Sequence, residues 1–182
     1  AGVLVVTSDK AYDNDSYDQA KGEIIFREDD PLGGRDPYSA SKGCQEIVAR
    51  SFAQSYFRER HMPVVTARAG NVVGGGDWSE DRLMTDIIAA AINDQAVELR
   101  NPATTRPWQH VIEPVSGYLM YLQAAVEGKT SLPALNFGPN GSHTVEHVTR
   151  LLLTAWGSRM GTAQQDTTNA RKEALTLALD SS

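Results

Sequence analysis

Asp36-Pro37-Tyr38-Ser39-Ala40-Ser41-Lys42-Gly43-Cys44, flanked by the apolar runs Val3-Leu4-Val5-Val6-Thr7 and Pro63-Val64-Val65-Thr66-Ala67-Arg68-Ala69, decides how this chain is read. Asp36-Pro37 is a helix start: proline is tolerated in the first turn, and an acidic residue before it suits the unpaired N–H groups there. From Tyr38 to Glu59, Ile47, Val48, Phe52, Ser55 and Tyr56 recur at helical spacing, which predicts one long helix. The two flanking runs lack polar alternation. A strand of that kind is covered on both faces and belongs in a parallel sheet. Strand, helix, strand in this order gives an α/β layer.

Downstream, the chain continues in the same style but less regularly. Gly70 and Gly74-Gly75-Gly76 mark a tight loop, and 81–94 reads as a helix with Leu83, Ile87, Ile88 and Ala91 inward. Short strands are expected at 97–99, 110–112 and 135–137, and helices at 114–127 and 144–159. The last of these should bury Val145, Val148, Leu151, Leu152 and Ala155. The polar stretch from Asp13 to Gly34 reads as a long surface loop. In parallel α/β sheets ligands sit beyond the carboxyl ends of the strands. Thr7-Ser8-Asp9-Lys10 and Gly70-Asn71 lie at two such ends and should therefore face one cleft.

Composition removes several functions. With 17 Lys+Arg against 23 Asp+Glu among 182 residues, the net charge is −6. No basic run offers phosphates a footprint, so nucleic acid is not an expected partner. No apolar run approaches the roughly 20 residues that cross a bilayer, so no membrane partner is expected. Cys44 is the single cysteine, which fits a reducing, cytoplasmic setting. Asn14-Asp15-Ser16 and Asn140-Gly141-Ser142 match a glycosylation sequon by chance. His143-Thr144-Val145-Glu146-His147 matches a zinc pattern literally, but it follows a turn at a helix start, where Glu suits the helix dipole; no metal is expected.

Tyr38 and Lys42 stand four residues apart on one helix face, a phenol beside an ammonium, and so form a possible proton shuttle. A phenolate near neutral pH requires a nearby cation and a dry cleft. Tyr17 and Lys21 share the spacing, but they lie in the polar loop with no helix to hold them. Ser8-Asp9-Lys10 adds a hydroxyl, a carboxyl and an amine just past a strand, where acid and base groups reach a substrate.

Taken together, the blocks 6–10, 30–44, 67–78 and 106–111 resemble the extended short-chain dehydrogenase/reductase family, and within it the nucleotide-sugar 4,6-dehydratases of the CDP-glucose branch. The resemblance implies an α/β fold made of the C-terminal part of a Rossmann-type parallel-sheet domain with an intermingled small α/β substrate lobe. It places residues 1–75 in the NAD-binding domain and 76–182 mainly in the nucleotide-sugar lobe, with a segment around 110–127 returning to the first. It implies NAD as cofactor, a nucleotide sugar as substrate and a homodimer for the full-length protein, in which Ile47, Val48 and Phe52 lie at or beneath the dimer contact.

The same resemblance assigns roles. Tyr38, kept ionised by Lys42 and by the nicotinamide that both help to bind, would take the proton of the sugar 4-hydroxyl with help from Ser8. Asp9 would protonate the departing 6-hydroxyl. Lys10 stands where related dTDP-glucose enzymes carry a glutamate base for C5, and either removes that proton or orients the substrate. Asn71, Arg82, Arg106 and Asn136 match substrate-binding positions. A sugar-nucleotide epimerase would need the Tyr38–Lys42 pair without the Asp9–Lys10 couplet, and a non-catalytic binding relative would need neither.

Departures from the pattern are expected to matter. The glycine fingerprint of the cofactor phosphate loop is missing from these residues, so the chain is expected to be a fragment of a longer enzyme, inactive and weak in NAD binding by itself. Ala11 replaces a usual cysteine, and the loop from Asp13 to Phe26 is longer than the family's.

Overall fold

The computed structural model describes residues 1–13, 25–79, 82–158, 161–164 and 178–181. The sequon at 14–16, the Tyr17–Lys21 pair and much of the expected 13–34 loop lie outside these residues.

Three parallel strands form the sheet that organises the site, in the order β1 (Val3–Val6), β3 (Val64–Ala69), β8 (Ala134–Phe137). The register pairs Val6 with Ala67 and Ala67 with Leu135, so the carboxyl ends of the strands lie side by side. Strand β2 (Ile25–Phe26) pairs in parallel with β11 (Ala178–Leu179). Helix α1 (Pro37–Phe52) runs on through a π-helical turn at Ala53–Phe57 and links β1 to β3.

Beyond β3, β4 (Asn71–Val73) pairs in parallel with β7 (Trp108–His110). Helix α2 (Leu83–Ile92) leads into β5 (Val97–Leu99), which pairs in parallel with β10 (Thr162–Gln164). Strand β6 (Thr105–Arg106) pairs antiparallel with β9 (His143–Thr144). Helices α3 (Ile112–Val126) and α4 (Val145–Trp156) complete the chain.

Two apolar clusters carry most of the packing. Helix α3 lays Tyr121 and Ala125 on Val65, with Leu4, Leu135 and Phe137 around them, and so covers one face of the three-stranded sheet. Ile87 and Ala91 of α2, Val97 and Leu99 of β5 and Leu153 of α4 form the second. Burying a side chain such as Ile87 is worth about 1.5–3 kcal/mol. A smaller group stacks Tyr12 on Phe26, with ring centroids 4.7 Å apart, beside Leu179.

The structure corrects three expectations and decides a choice the sequence left open between core and contact surface: on α1, Ile47, Val48, Phe52 and Tyr56 are 62%, 54%, 50% and 64% exposed and so lie outside the core. Its buried face is Ser39, Gly43, Glu46 and Ala49, because small residues and one carboxylate allow the helix to lie close on the sheet's backbone and polar groups. Strand β1, at the edge of its sheet among the described residues, is not covered on both faces: Val3 and Val6 are 39% and 49% exposed. Helix α4 packs Val145 and Leu152 on the second cluster as expected, but its fully buried residues are Thr149 and Leu153, and Leu151 points out, because its inward line is set by packing on α2 and β5. The strand expected at 110–112 instead ends at His110, and Ile112 already begins α3.

Candidate active site

Two elements meet at the carboxyl end of the sheet. The first continues β1: the Thr7 N–H donates to the Ala67 carbonyl at 2.8 Å, extending the ladder by one residue. Ser8 then caps a single 3-10 turn, Asp9–Ala11, its Oγ accepting from the Lys10 N–H at 3.2 Å while its hydroxyl donates to Asp9 Oδ1 at 2.8 Å. Asp9 is only 4% exposed. Burial pushes its carboxyl above the usual range, against the Ser8 hydrogen bond and the charges of Lys10 and Arg106. A carboxyl in this state is suited to hold a proton and give it away.

The second element is the start of α1. Asp36 Oδ1 accepts from the N–H groups of Tyr38 and Ser39 at 3.0 Å each, and Oδ2 accepts from the Ser39 hydroxyl at 2.6 Å. These bonds, with a smaller contribution from the Lys10 charge, hold the Asp36 carboxyl below its ordinary value. Lys10 therefore stands near the end of the helix that carries Tyr38. Gly34, at φ +149°, brings the preceding loop so close that a Cβ there would lie 2.4 Å from the Ala40 nitrogen. Gly43 lets the helix touch the loop backbone, since an added Cβ would stand 2.9 Å from the Gly33 carbonyl oxygen and 3.6 Å from that of Ala11. The helix and the Asp9 turn are in contact through backbone.

Tyr38 is 55% exposed. The Lys42 Nζ lies 5.6 Å from the centre of its ring and donates to Gln45 Oε1 at 3.3 Å. The pair shares an accessible helix face, as the spacing requires.

The other sequence-derived candidates divide. Arg106 is buried and near enough to Asp9 for its charge to act on the carboxyl, and its Nη1 donates to the Thr105 carbonyl at 2.9 Å. Asn71 opens β4 opposite Trp108, and Gly70 before it lies against Pro107, where a Cβ would meet Cγ at 2.6 Å. This contact brings the end of β3 beside Arg106. Arg82, exposed, precedes α2, where its charge acts on the Asp77 carboxyl. Asn136 is 3% exposed and its amide is engaged inside the protein. Its Nδ2 donates to the carbonyls of Phe26 and Asp180 at 3.0 and 3.1 Å, and its Oδ1 accepts from the Tyr12 hydroxyl at 2.7 Å.

Sequence reasoning missed the group that joins these parts. Under the Asp9 turn, Glu46 of α1 receives both arms of Arg68 and the hydroxyls of Thr7 and Thr66. Arg68 Nη1 goes on to Tyr12 Oη at 2.8 Å and the Glu28 carbonyl at 3.0 Å. A guanidinium in the run Val64–Ala69, which is uncharged elsewhere, was the signal, since such a charge is almost never buried without a partner. The literal zinc pattern has a local account: Thr144 Oγ1 caps α4 by accepting from the His147 N–H at 3.1 Å, and among the described residues no three His, Cys, Asp or Glu side chains gather.

A profile described as the NAD dependent epimerase/dehydratase family matches residues 2–155. The chain is 45% identical to the CDP-glucose 4,6-dehydratase of Salmonella typhimurium over 163 residues, 85% of this chain and 44% of that protein. It is 34% identical to the low-salt glycan biosynthesis protein Agl12 of Haloferax volcanii over 101 residues, 53% of this chain and 31% of that protein. The chain thus spans less than half the length of these relatives. Its backbone is similar to a Bacillus anthracis dTDP-glucose 4,6-dehydratase solved in complex with NAD, with a TM-score of 0.74 at 19% identity over 99% of this chain and 53% of that one. It is equally similar in fold to a UDP-N-acetylglucosamine 4-epimerase from Methanobrevibacter ruminantium, with a TM-score of 0.78 at 18% identity over 97% and 53%. At those identities the likeness shows the fold, a Rossmann-type α/β arrangement.

Proposed function

The chain belongs to the NAD dependent epimerase/dehydratase family, and on that premise we propose that it forms part of a nucleotide-sugar 4,6-dehydratase acting on CDP-glucose. The observation that carries the dehydratase reading is Asp9: buried, held toward its protonated form, and set at a strand tip beside the start of the Tyr38 helix. Loss of water needs an acid for the leaving hydroxyl, whereas inversion at C4 does not. The similarity to the Salmonella enzyme supports CDP-glucose as the substrate.

The donor set fits NAD. The accessible phenol and ammonium of Tyr38 and Lys42 suit the hydroxyls of a nicotinamide ribose, and the helix that carries them touches the turn that follows β1. When bound, NAD supplies a hydride acceptor for C4 of the sugar that later returns the hydride to C6.

The chain's own residues handle protons. Tyr38 takes the proton of the 4-hydroxyl, with Lys42 beside it on the same helix face and the Ser8 hydroxyl as the further hydrogen-bonding group. The resulting 4-keto group makes the C5 hydrogen acidic, and Lys10 either receives that proton or orients the substrate for its removal. Asp9 gives its proton to the C6 oxygen, which leaves as water. A proton returned to C5 completes the 4-keto-6-deoxy sugar with no net redox change. Arg106 and Arg82 hold the diphosphate with paired donors, and Asn71 a sugar hydroxyl.

Incubation of the intact protein with NAD and CDP-glucose tests this reading by product mass. A sugar lighter by one water is expected. A product of unchanged mass with C4 inverted would make the protein an epimerase.

A further inference from the structure

We propose that Glu46 and Arg68 are positioning residues: their ion pair sets the helix bearing Tyr38 and Lys42 against the turn bearing Ser8 and Asp9. The catalytic part of this statement rests on the dehydratase reading above.

The pair brackets the turn. Thr7, immediately before Ser8, donates its hydroxyl to Glu46 Oε1. Tyr12, immediately after Ala11, accepts at its hydroxyl from Arg68 Nη1, and the Arg68 guanidinium also lies over the Tyr12 ring, 4.8 Å from its centre. Both ends of the Ser8–Ala11 segment are thus tied to one salt bridge. The bridge in turn ties α1 to β3, since Thr66 donates to Oε2 at 2.6 Å and Arg68 reaches both carboxylate oxygens at 3.0 Å.

Stability alone does not call for this arrangement. Apolar residues of similar volume in place of a buried ion pair often leave a protein as stable or more so. What four donors on one carboxylate add is direction, as each oxygen accepts two bonds and the helix can neither slide nor turn without breaking some of them. Tyr38 stands eight residues up the same helix, about 12 Å along a rigid rod. A shift of about 1 Å in reacting groups can lower a rate by about a hundredfold. Glu46 and Arg68 touch neither substrate nor reacting atoms, so their effect passes through the elements they hold.

Two measurements on the intact protein test the proposal. The first does not depend on the reaction: amide hydrogen exchange in wild type, Thr7→Val, Thr7→Ser and Glu46→Gln. Thr7→Val and Glu46→Gln are expected to speed exchange at 8–12 and 36–46 together by about tenfold or more beyond any rise shared with α2, β5 and α4, with Thr7→Ser restoring protection. Exchange at 8–12 that rises no more than in α2, β5 and α4 would overturn it. The second is a double-mutant cycle in kcat. Glu46→Gln is expected to lower kcat about tenfold with KM for CDP-glucose within about twofold, and to lower it less than about twofold further when Tyr38 is already Phe. Fully additive losses would overturn the positioning role. If wild type releases no dehydrated sugar, the dehydratase reading fails, and the exchange data still decide whether the pair holds turn and helix together.

Discussion

Arg68 lies fork-to-fork on Glu46, Nε to Oε1 and Nη2 to Oε2 at 3.0 Å each, with the two side chains only 5% and 4% exposed. Burial pushes the Glu46 carboxyl up, but the bonds from Arg68, Thr66 and Thr7 outweigh it and leave the carboxyl below its ordinary value of 4.5. A carboxyl lowered in the folded state adds stability above its unfolded value, and that stability is lost as pH falls through the folded one. Wild type is therefore expected to lose its margin over Glu46→Gln progressively below about pH 4.5. At neutral pH the variant should be less stable by about 3 kcal/mol, because it leaves a buried guanidinium short of its partner. Thermal melts of both proteins across the acid range check this, and a margin independent of pH would contradict it.

Asp9 has the opposite sign. Its carboxyl is raised in the folded state above the ordinary 3.8, so the stability it contributes is lost as pH rises from that value through the folded one. Asp9→Asn is expected to be more stable than wild type at neutral pH and yet to lower turnover by about 10²–10⁴, the range for removing a general acid. Melting temperature and kcat measured on one preparation check the pairing. A variant both less stable and fully active would contradict it.

Tyr12 is held neutral: burial pushes its phenol up to about 12, despite the Arg68 and Asn136 hydrogen bonds. Tyr12→Phe removes the hydroxyl between Arg68 Nη1 and Asn136 Oδ1 and should lower stability by about 1–3 kcal/mol, the penalty for stranding buried polar groups. Urea unfolding measures it. A neutral effect would mean that Asn136 and Arg68 find other partners.

Gly43→Ala places a methyl 2.9 Å from the Gly33 carbonyl oxygen, with backbone on both sides of the contact. A loss of about 1–3 kcal/mol is expected as α1 is pushed off the Asp9 turn. Gly75→Ala meets nothing within 4 Å and should change stability by no more than about 0.5 kcal/mol. Equal effects of the two substitutions in denaturant titrations would contradict the close approach at Gly43.

Much of this architecture was legible in the residues. The unalternating runs at 3–7 and 63–69 became β1 and β3 in parallel, and Asp36-Pro37 became the cap and first turn of α1. Which face of α1 turns inward was not. Apolar spacing left Ile47, Val48 and Phe52 open between core and contact surface, and a helix that seats on strand ends through hydrogen bonds buries its small and polar residues instead. Periodicity reports hydrophobicity, not which neighbour is waiting. The fate of Asn136 was hidden for a related reason: strand position gives its depth, and only the folded chain brings Tyr12, Phe26 and Asp180 around its amide. Arg68 was visible as a charge in a buried strand. Its partner, 22 positions away, was not.

The most direct measurement follows one hydrogen. CDP-glucose carrying deuterium at C4 is turned over by the intact protein with NAD in ordinary water, and the product is read by mass and by proton resonance. The account predicts a 4-keto-6-deoxy sugar, lighter by one water, with the deuterium at C6. A sugar of unchanged mass, with its deuterium still at an inverted C4, would contradict it.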